Sequence, residues 1–253
     1  MTVFVARRDA DRTAILELNQ PARGNALSSE MVQTLRSELS SIFVDQNFDT
    51  VVIAGAGKNL CTGFDLDGIE KQSDGDVLQR FVEIELLLLD LWHSPIRTVA
   101  FAKGRTWGAG ADIFAACDFR VAQSESTFRF PGAGFGIVLG TRRLCERVGE
   151  TIARRWISGN EEIAATDAAS AGLATTLTKL EVVEWLASDL PKLRVTRGVI
   201  DDLNRASRMD FRDKDLAHLV RSAAVPGLRD RIVAYAKRTR AAAKPSHPEV
   251  SDA

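Results

Sequence analysis

Two glycine-rich turns, each entered from a short apolar β-like run, constrain this chain more than any other feature of its sequence. The first, Leu60–Leu66 (LCTGFDL), follows Val51-Val52-Ile53-Ala54. The second, Lys103–Asp118 (KGRTWGAGADIFAACD), follows Thr98-Val99-Ala100-Phe101. The second opens into an Ala-rich helix, and the first into a segment expected to form a short one. A strand-to-helix turn leaves backbone N–H groups unpaired at the helix start, at the positive end of the helix dipole. One such turn is a weak anion-binding signal. Two, with small residues that let a ligand approach the backbone, point to N–H donors converging on one carbonyl oxygen, the requirement for an oxyanion hole. Taken singly, either turn also reads as a tight loop that needs glycine for a positive φ.

Around these turns the chain reads as mixed α/β. Val3-Phe4-Val5 and Ala14–Leu18, separated by the charged segment Arg7–Arg12, predict an opening hairpin. Ser28 offers an N-cap, and Met31, Leu35, Leu39 and Ile42 recur at helical spacing to about Phe43. Strand Thr50–Ala54, helix Val77–Trp92 ended by Pro95, strand Arg97–Ala102, helix Ala109–Cys117 and strand Phe119–Val121 follow. Repeated strand–strand–helix units predict a right-handed spiral α/β core, because crossovers strongly prefer that hand. The division expected is a core over 1–180, a helical region over 181–243 and a disordered tail over 244–253 (KPSHPEVSDA).

A net charge of −1 gives no electrostatic case for nucleic acid. The longest apolar run, Ile84–Trp92, carries Glu85 and Asp90 and is too short to span a bilayer, so no membrane partner is expected. The start MTVFVARRDADR turns charged at once, so no signal peptide is expected. Cys61, Cys117 and Cys145 have no CxxC or Cys/His spacing, which argues against a zinc site or a disulfide framework. A reduced, cytoplasmic setting and no metal are the expectations. Gly55-Ala56-Gly57-Lys58 fails as a P-loop, since Asn59 stands where Ser or Thr is needed, and no GxSxG elbow is present.

The stretches Leu18–Pro21 with Gly24-Asn25-Ala26-Leu27, then Val51–Asp65, Pro95–Asp118, Phe128–Leu144 and Ile163–Leu173 carry a resemblance in their order and spacing. Together they resemble the crotonase (enoyl-CoA hydratase/isomerase) superfamily. The resemblance implies a crotonase-type spiral with a helical C-terminal trimerisation region, assembled as a homotrimer or a dimer of trimers. It implies an acyl-CoA thioester as ligand, with coenzyme A arriving as part of the substrate and no separate cofactor. Carried over residue by residue, the backbone N–H groups of Phe64 and Ala109 polarise the thioester carbonyl, with Gly63 and Gly108 preceding them and Trp107 walling the pocket. Asn25-Ala26-Leu27 and Arg23 are the local candidates for coenzyme A, with the cationic helix Arg229–Arg240 as a further source of charge. Asp65 matches a familiar family aspartate, most often structural.

Asp112 stands where family hydratases place one catalytic Glu, three residues after Ala109. Two roles are open for it: acid/base, or helix cap. The second family Glu, directly after a proline, is replaced in Phe130-Pro131-Gly132 by Gly132, and the following loop is shorter than usual. One carboxylate suits double-bond isomerisation better than hydration, which uses a second group to orient or deprotonate water. A member that binds acyl-CoA or another lipid with little catalysis, and an oligomeric scaffold that has lost the site, are the rival classes. Glu83 and Glu85 read as solvated helix charges, His93 as a C-cap residue, and Arg142 and Arg143 as surface pairs or contacts to a substrate carboxylate.

Overall fold

The computed structural model describes residues 3–242; the tail expected from Lys244 lies outside them. Strands β1 (Val5–Ala10) and β2 (Thr13–Leu18) form the opening hairpin, turned at Asp11 and Arg12 with φ of 44° and 60°. The charged Arg7, Arg8 and Asp9 lie inside β1 rather than in the connection. As the edge of the sheet, β1 keeps these side chains at the surface, where Arg7 pairs with Asp9 and Glu38. Helix α1 (Ser29–Val44) starts where Ser28 accepts the Met31 N–H at 3.2 Å and buries Met31, Leu35, Leu39 and Ile42.

Next come β3 (Thr50–Gly55) and α2 (Asp74–Trp92). Helix α2 begins before Val77 because Ser73 and Asp76 form a capping box, a Ser-x-x-Asp signal. Then follow β4 (Arg97–Ala102), β5 (Arg105–Trp107), α3 (Ala109–Ala116), β6 (Phe119–Gln123) and β7 (Thr127–Arg129). A 3₁₀ turn (Pro131–Phe135) leads to α4 (Thr141–Val148), α5 (Glu150–Gly159), β8 (Ile163–Ala164), α6 (Ala165–Ser170) and β9 (Thr176–Thr178). From there every element among the described residues is a helix: α7 (Val182–Ser188), α8 (Arg197–Ser207), α9 (Arg212–Ala223) and α10 (Leu228–Ala242).

One sheet runs β1-β2-β3-β4-β6-β9, parallel except for the β1–β2 hairpin; a smaller one runs β5-β7-β8. The apolar runs noted in the sequence are the central strands β3 and β4. Leu16, Val51, Ile53 and Ala100 face the core under α1, α2 and α3, while Ile15, Val52, Val99 and Phe101 face Val182 and Trp185 of α7. Burial on both faces is why these strands lack polar alternation. Each fully buried Val, Leu or Phe contributes about 1.5–3 kcal/mol.

All eight residues of α3 are buried. Its small side chains let backbone meet backbone. A Cβ added at Gly110 would lie 2.7 Å from the Cβ of Cys61, and one at Gly63 would lie 2.9 Å from the carbonyl oxygen of Trp107. The two glycine turns are therefore in direct contact.

Candidate active site

At the second turn, Gly108 takes φ 54° and ψ −129°, a conformation closed to residues with a side chain, and is the N-cap of α3. Its N–H donates to the Arg129 carbonyl at 2.8 Å and its carbonyl accepts from the Asp112 N–H at 3.0 Å. Ala109 opens the helix, so its N–H is one of the amides that α3 cannot pair internally. The first turn opens into a short helix as expected, the 3₁₀ turn Ile69–Lys71, but that helix starts five residues beyond Phe64 and does not present the Phe64 amide. Phe64 instead forms an isolated parallel bridge with Leu27. The bridge uses the Gly63 carbonyl, which accepts from Leu27 at 2.7 Å, and the Asp65 N–H, which donates to Leu27 at 3.2 Å. This register leaves the Phe64 N–H outside the pairing. Its ring is fixed by stacking on Phe81, with centroids 4.4 Å apart, and by the Arg80 guanidinium at 4.0 Å. Strand register, not a helix dipole, frees this donor.

Phe64, Gly63, Trp107, Gly108, Ala109, Asp112, Pro131 and Gly132 all line one cavity of about 270 Å³. Asp112 is the only carboxylate among the described lining residues. Its side chain is 6% exposed and takes no hydrogen bond from a described residue. Burial raises its pKa well above the ordinary carboxylate range, Arg143 opposing and Glu85 adding to the shift. Asp112 stands in the first turn of α3, where a negative charge is favoured by the helix dipole, so the capping role stays open beside the acid/base one.

Glu85 overturns its reading as a solvated charge, and Arg143 its reading as a surface residue. Both are 1% exposed and pair at 2.7 and 3.2 Å, with Asp215 3.5 Å from Arg143. Burial raises the Glu85 pKa and the Arg143 guanidinium opposes it. Arg142 reaches Asp215 and Glu146. Glu83 pairs with Arg36 at 3.0 Å. His93 does end α2 as the C-cap residue, and burial depresses its pKa to about 4.

The other candidates stand outside the cavity lining among the described residues. Arg23 lies 2.9 Å from both Asp65 and Asp67, so its charge is already engaged. Asn25 is fully buried: its Oδ1 accepts from Gln20, and its Nδ2 donates to the carbonyls of Ala56 and Asn59. It clamps the loop that carries the half-buried Ala26 and the buried Leu27. Cys61 and Cys117 are free and buried, which pushes both thiols up to about 12 and leaves them unreactive.

Two lining contributions escaped the sequence reading. Arg129, a strand residue beside Trp107, enters the wall, as do Ile232, Tyr235 and Thr239 of α10. Tyr235 is the chain's only tyrosine, the one hint of its role in the sequence. Of the cationic residues of α10, Arg231 is held by the carbonyls of Phe135, Val225 and Pro226. No helix among the described residues is long and apolar enough to cross a membrane.

Comparison with known proteins places the fold in a family. The enoyl-CoA hydratase/isomerase family matches residues 10–193. A solved Bordetella parapertussis protein named for enoyl-CoA hydratase/isomerase is 36% identical, covering 96% of this chain and 100% of that one with a TM-score of 0.86. The 2,3-dehydroadipyl-CoA hydratase of Escherichia coli (strain K12) is 29% identical over 65% of each chain. The ethylmalonyl-CoA decarboxylase of Mus musculus is 32% identical over 63% of this chain and 51% of its own length. These two matches therefore span about half to two thirds of the curated relatives. The chain belongs to the enoyl-CoA hydratase/isomerase family.

Proposed function

We propose that this protein is an acyl-CoA enzyme in which the thioester carbonyl sits between the N–H groups of Phe64 and Ala109, and Asp112 moves a proton on the neighbouring acyl carbons. The observation that carries the reading is one buried carboxyl in the same cavity wall as two turns whose amides lack internal partners. The ionised carboxylate takes a proton from the acyl chain, the electron pair spreads onto the thioester oxygen as an enolate, and the same proton returns at another carbon. Two oriented donors stabilise the oxyanion, each worth about 3 kcal/mol in the transition state. The apolar wall around Asp112 excludes water and makes its carboxylate a stronger base.

Isomerisation of a double bond fits this apparatus better than hydration, because Gly132 supplies no second carboxylate. That same glycine supports a second reading, an acyl-CoA-binding member with little catalysis. Incubating the purified protein with a panel of 2-enoyl- and 3-enoyl-CoA thioesters and following products by mass spectrometry tests both. Shifted double bonds with weak crotonyl-CoA hydration favour the first; tight binding without turnover favours the second; brisk hydration contradicts the emphasis on isomerisation. The strand–strand–helix order and the four closing helices support the right-handed spiral and a trimer or dimer of trimers; the unpaired Cys61, Cys117 and Cys145 fit a reduced, cytoplasmic setting. Light scattering that finds a stable monomer at micromolar concentration would sink the assembly.

A further inference from the structure

We infer that Arg129 forms a second anchoring point in the acyl cavity, selecting acyl-CoA substrates that carry a carboxylate at the far end of the acyl chain. This deepens the function proposed above and rests on it. Arg129 lines the cavity among mostly apolar neighbours, yet it forms no ion pair with a described residue. Only its Nε is engaged, donating to the backbone oxygen of Asn160 at 3.1 Å and to its Oδ1 at 2.9 Å. The two terminal nitrogens carry no hydrogen bond to a described residue, leaving the edge of the guanidinium that matches a carboxylate in bidentate fashion.

The side chain is also held in place. Asn160, at φ 51°, closes α5, and its Nδ2 donates to the Tyr235 hydroxyl oxygen at 3.0 Å. The Arg129 guanidinium lies 5.6 Å from the centre of the Trp107 ring. Three elements, β7, α5 and α10, thus preorganise one cation. A guanidinium fixed at the wall with its terminal edge open offers an anionic ligand group two charge-assisted donors without further ordering of the side chain. The backbone of the same residue holds Gly108, next to the Ala109 amide. Arg129 therefore shares one cavity wall with Ala109 and Asp112, so a ligand seated at the Ala109 amide lies in the same cavity as the cation.

The test compares binding of ω-carboxyacyl-CoA thioesters of four to eight carbons with their ω-carboxamide counterparts, which match them in size and lack the charge. The phosphates of coenzyme A are common to both, so the affinity ratio isolates the distal group. At the best chain length the carboxylate is expected to bind roughly 10- to 100-fold tighter. In Arg129→Met that ratio should fall to about one. A ratio near one in the wild type at every length, or an undiminished ratio in the variant, overturns the inference. So does an equal weakening of both ligands by Arg129→Met, which would assign the cation to coenzyme A itself. Carboxamide thioesters that bind without any carboxylate preference would overturn the inference while leaving the proposed function standing. If no thioester binds, both fall together.

Discussion

Gly140 abuts the Asp112 carboxyl so closely that a Cβ at Gly140 would run into Asp112 Oδ1. Gly140 is the N-cap of α4 and takes φ 66°, so both space and backbone conformation exclude a side chain there. Gly140→Ala should push the carboxylate off its position. A misplacement of about 1 Å can cost roughly 100-fold in rate, so turnover is expected to fall by about 10- to 100-fold. Thioester affinity, measured by calorimetry, should change far less. Unaltered turnover would show that the position of Asp112 is immaterial.

The rate should report the raised pKa. Asp112 acts as a base only when ionised, and burial lifts its pKa well above the ordinary value. The ratio kcat/KM should therefore fall on acidification through a midpoint well above about 4, where an ordinary aspartate titrates. A pH–rate profile that stays flat until about pH 4 would exclude a buried carboxylate as the base.

Asp112→Asn keeps the shape and removes the charge. Turnover should drop at least ~100-fold, while thioester binding survives because the backbone donors are untouched. Stability should move the opposite way. Between the unfolded pKa and the raised folded one, the native state holds a proton that the unfolded chain has released, so this group's contribution is fullest below about pH 4 and is lost as pH rises through the folded value. At pH 7.5 the variant should therefore melt at a higher temperature than the wild type, and the difference should shrink as the pH falls toward about 4. Calorimetric melts across pH check this; a variant less stable than wild type at every pH would refute it.

The Glu85–Arg143 pair is a fold-level dependency. Arg143→Met strands the Glu85 carboxyl in the core and should cost about 3–5 kcal/mol in urea unfolding. Adding Glu85→Leu should recover much of that loss, since an apolar pair of similar volume is often neutral or better. A double variant as unstable as the single one would point to packing rather than charge.

How far the sequence reading reached follows from how local each signal was. Strand β4 and helix α3 were legible because an apolar run, a glycine with positive φ and an Ala-rich period all lie within one short stretch. The start of α2 was misplaced although its Ser73–Asp76 box is equally local. The short helix after the first glycine turn was legible, as Ile69–Lys71, but the bridge that holds Phe64 was not, since it joins Phe64 to Leu27, residues far apart in sequence. Glu85 and Arg143 are 58 residues apart, and only the tertiary structure, which brings α2 and α4 to opposite ends of one ion pair, shows that two apparently solvated charges share one buried site. Tyr235 and Arg129 meet through Asn160 for the same reason. No periodicity encodes that convergence.

A crystal structure with a bound, unreactive acyl-CoA analogue tests the oxyanion arrangement most directly. The thioester oxygen should lie about 2.7–3.2 Å from both the Phe64 and the Ala109 nitrogens, with the Asp112 carboxyl facing the neighbouring acyl carbons. A thioester oxygen more than about 3.5 Å from both nitrogens, or an acyl chain directed away from Asp112, would contradict it.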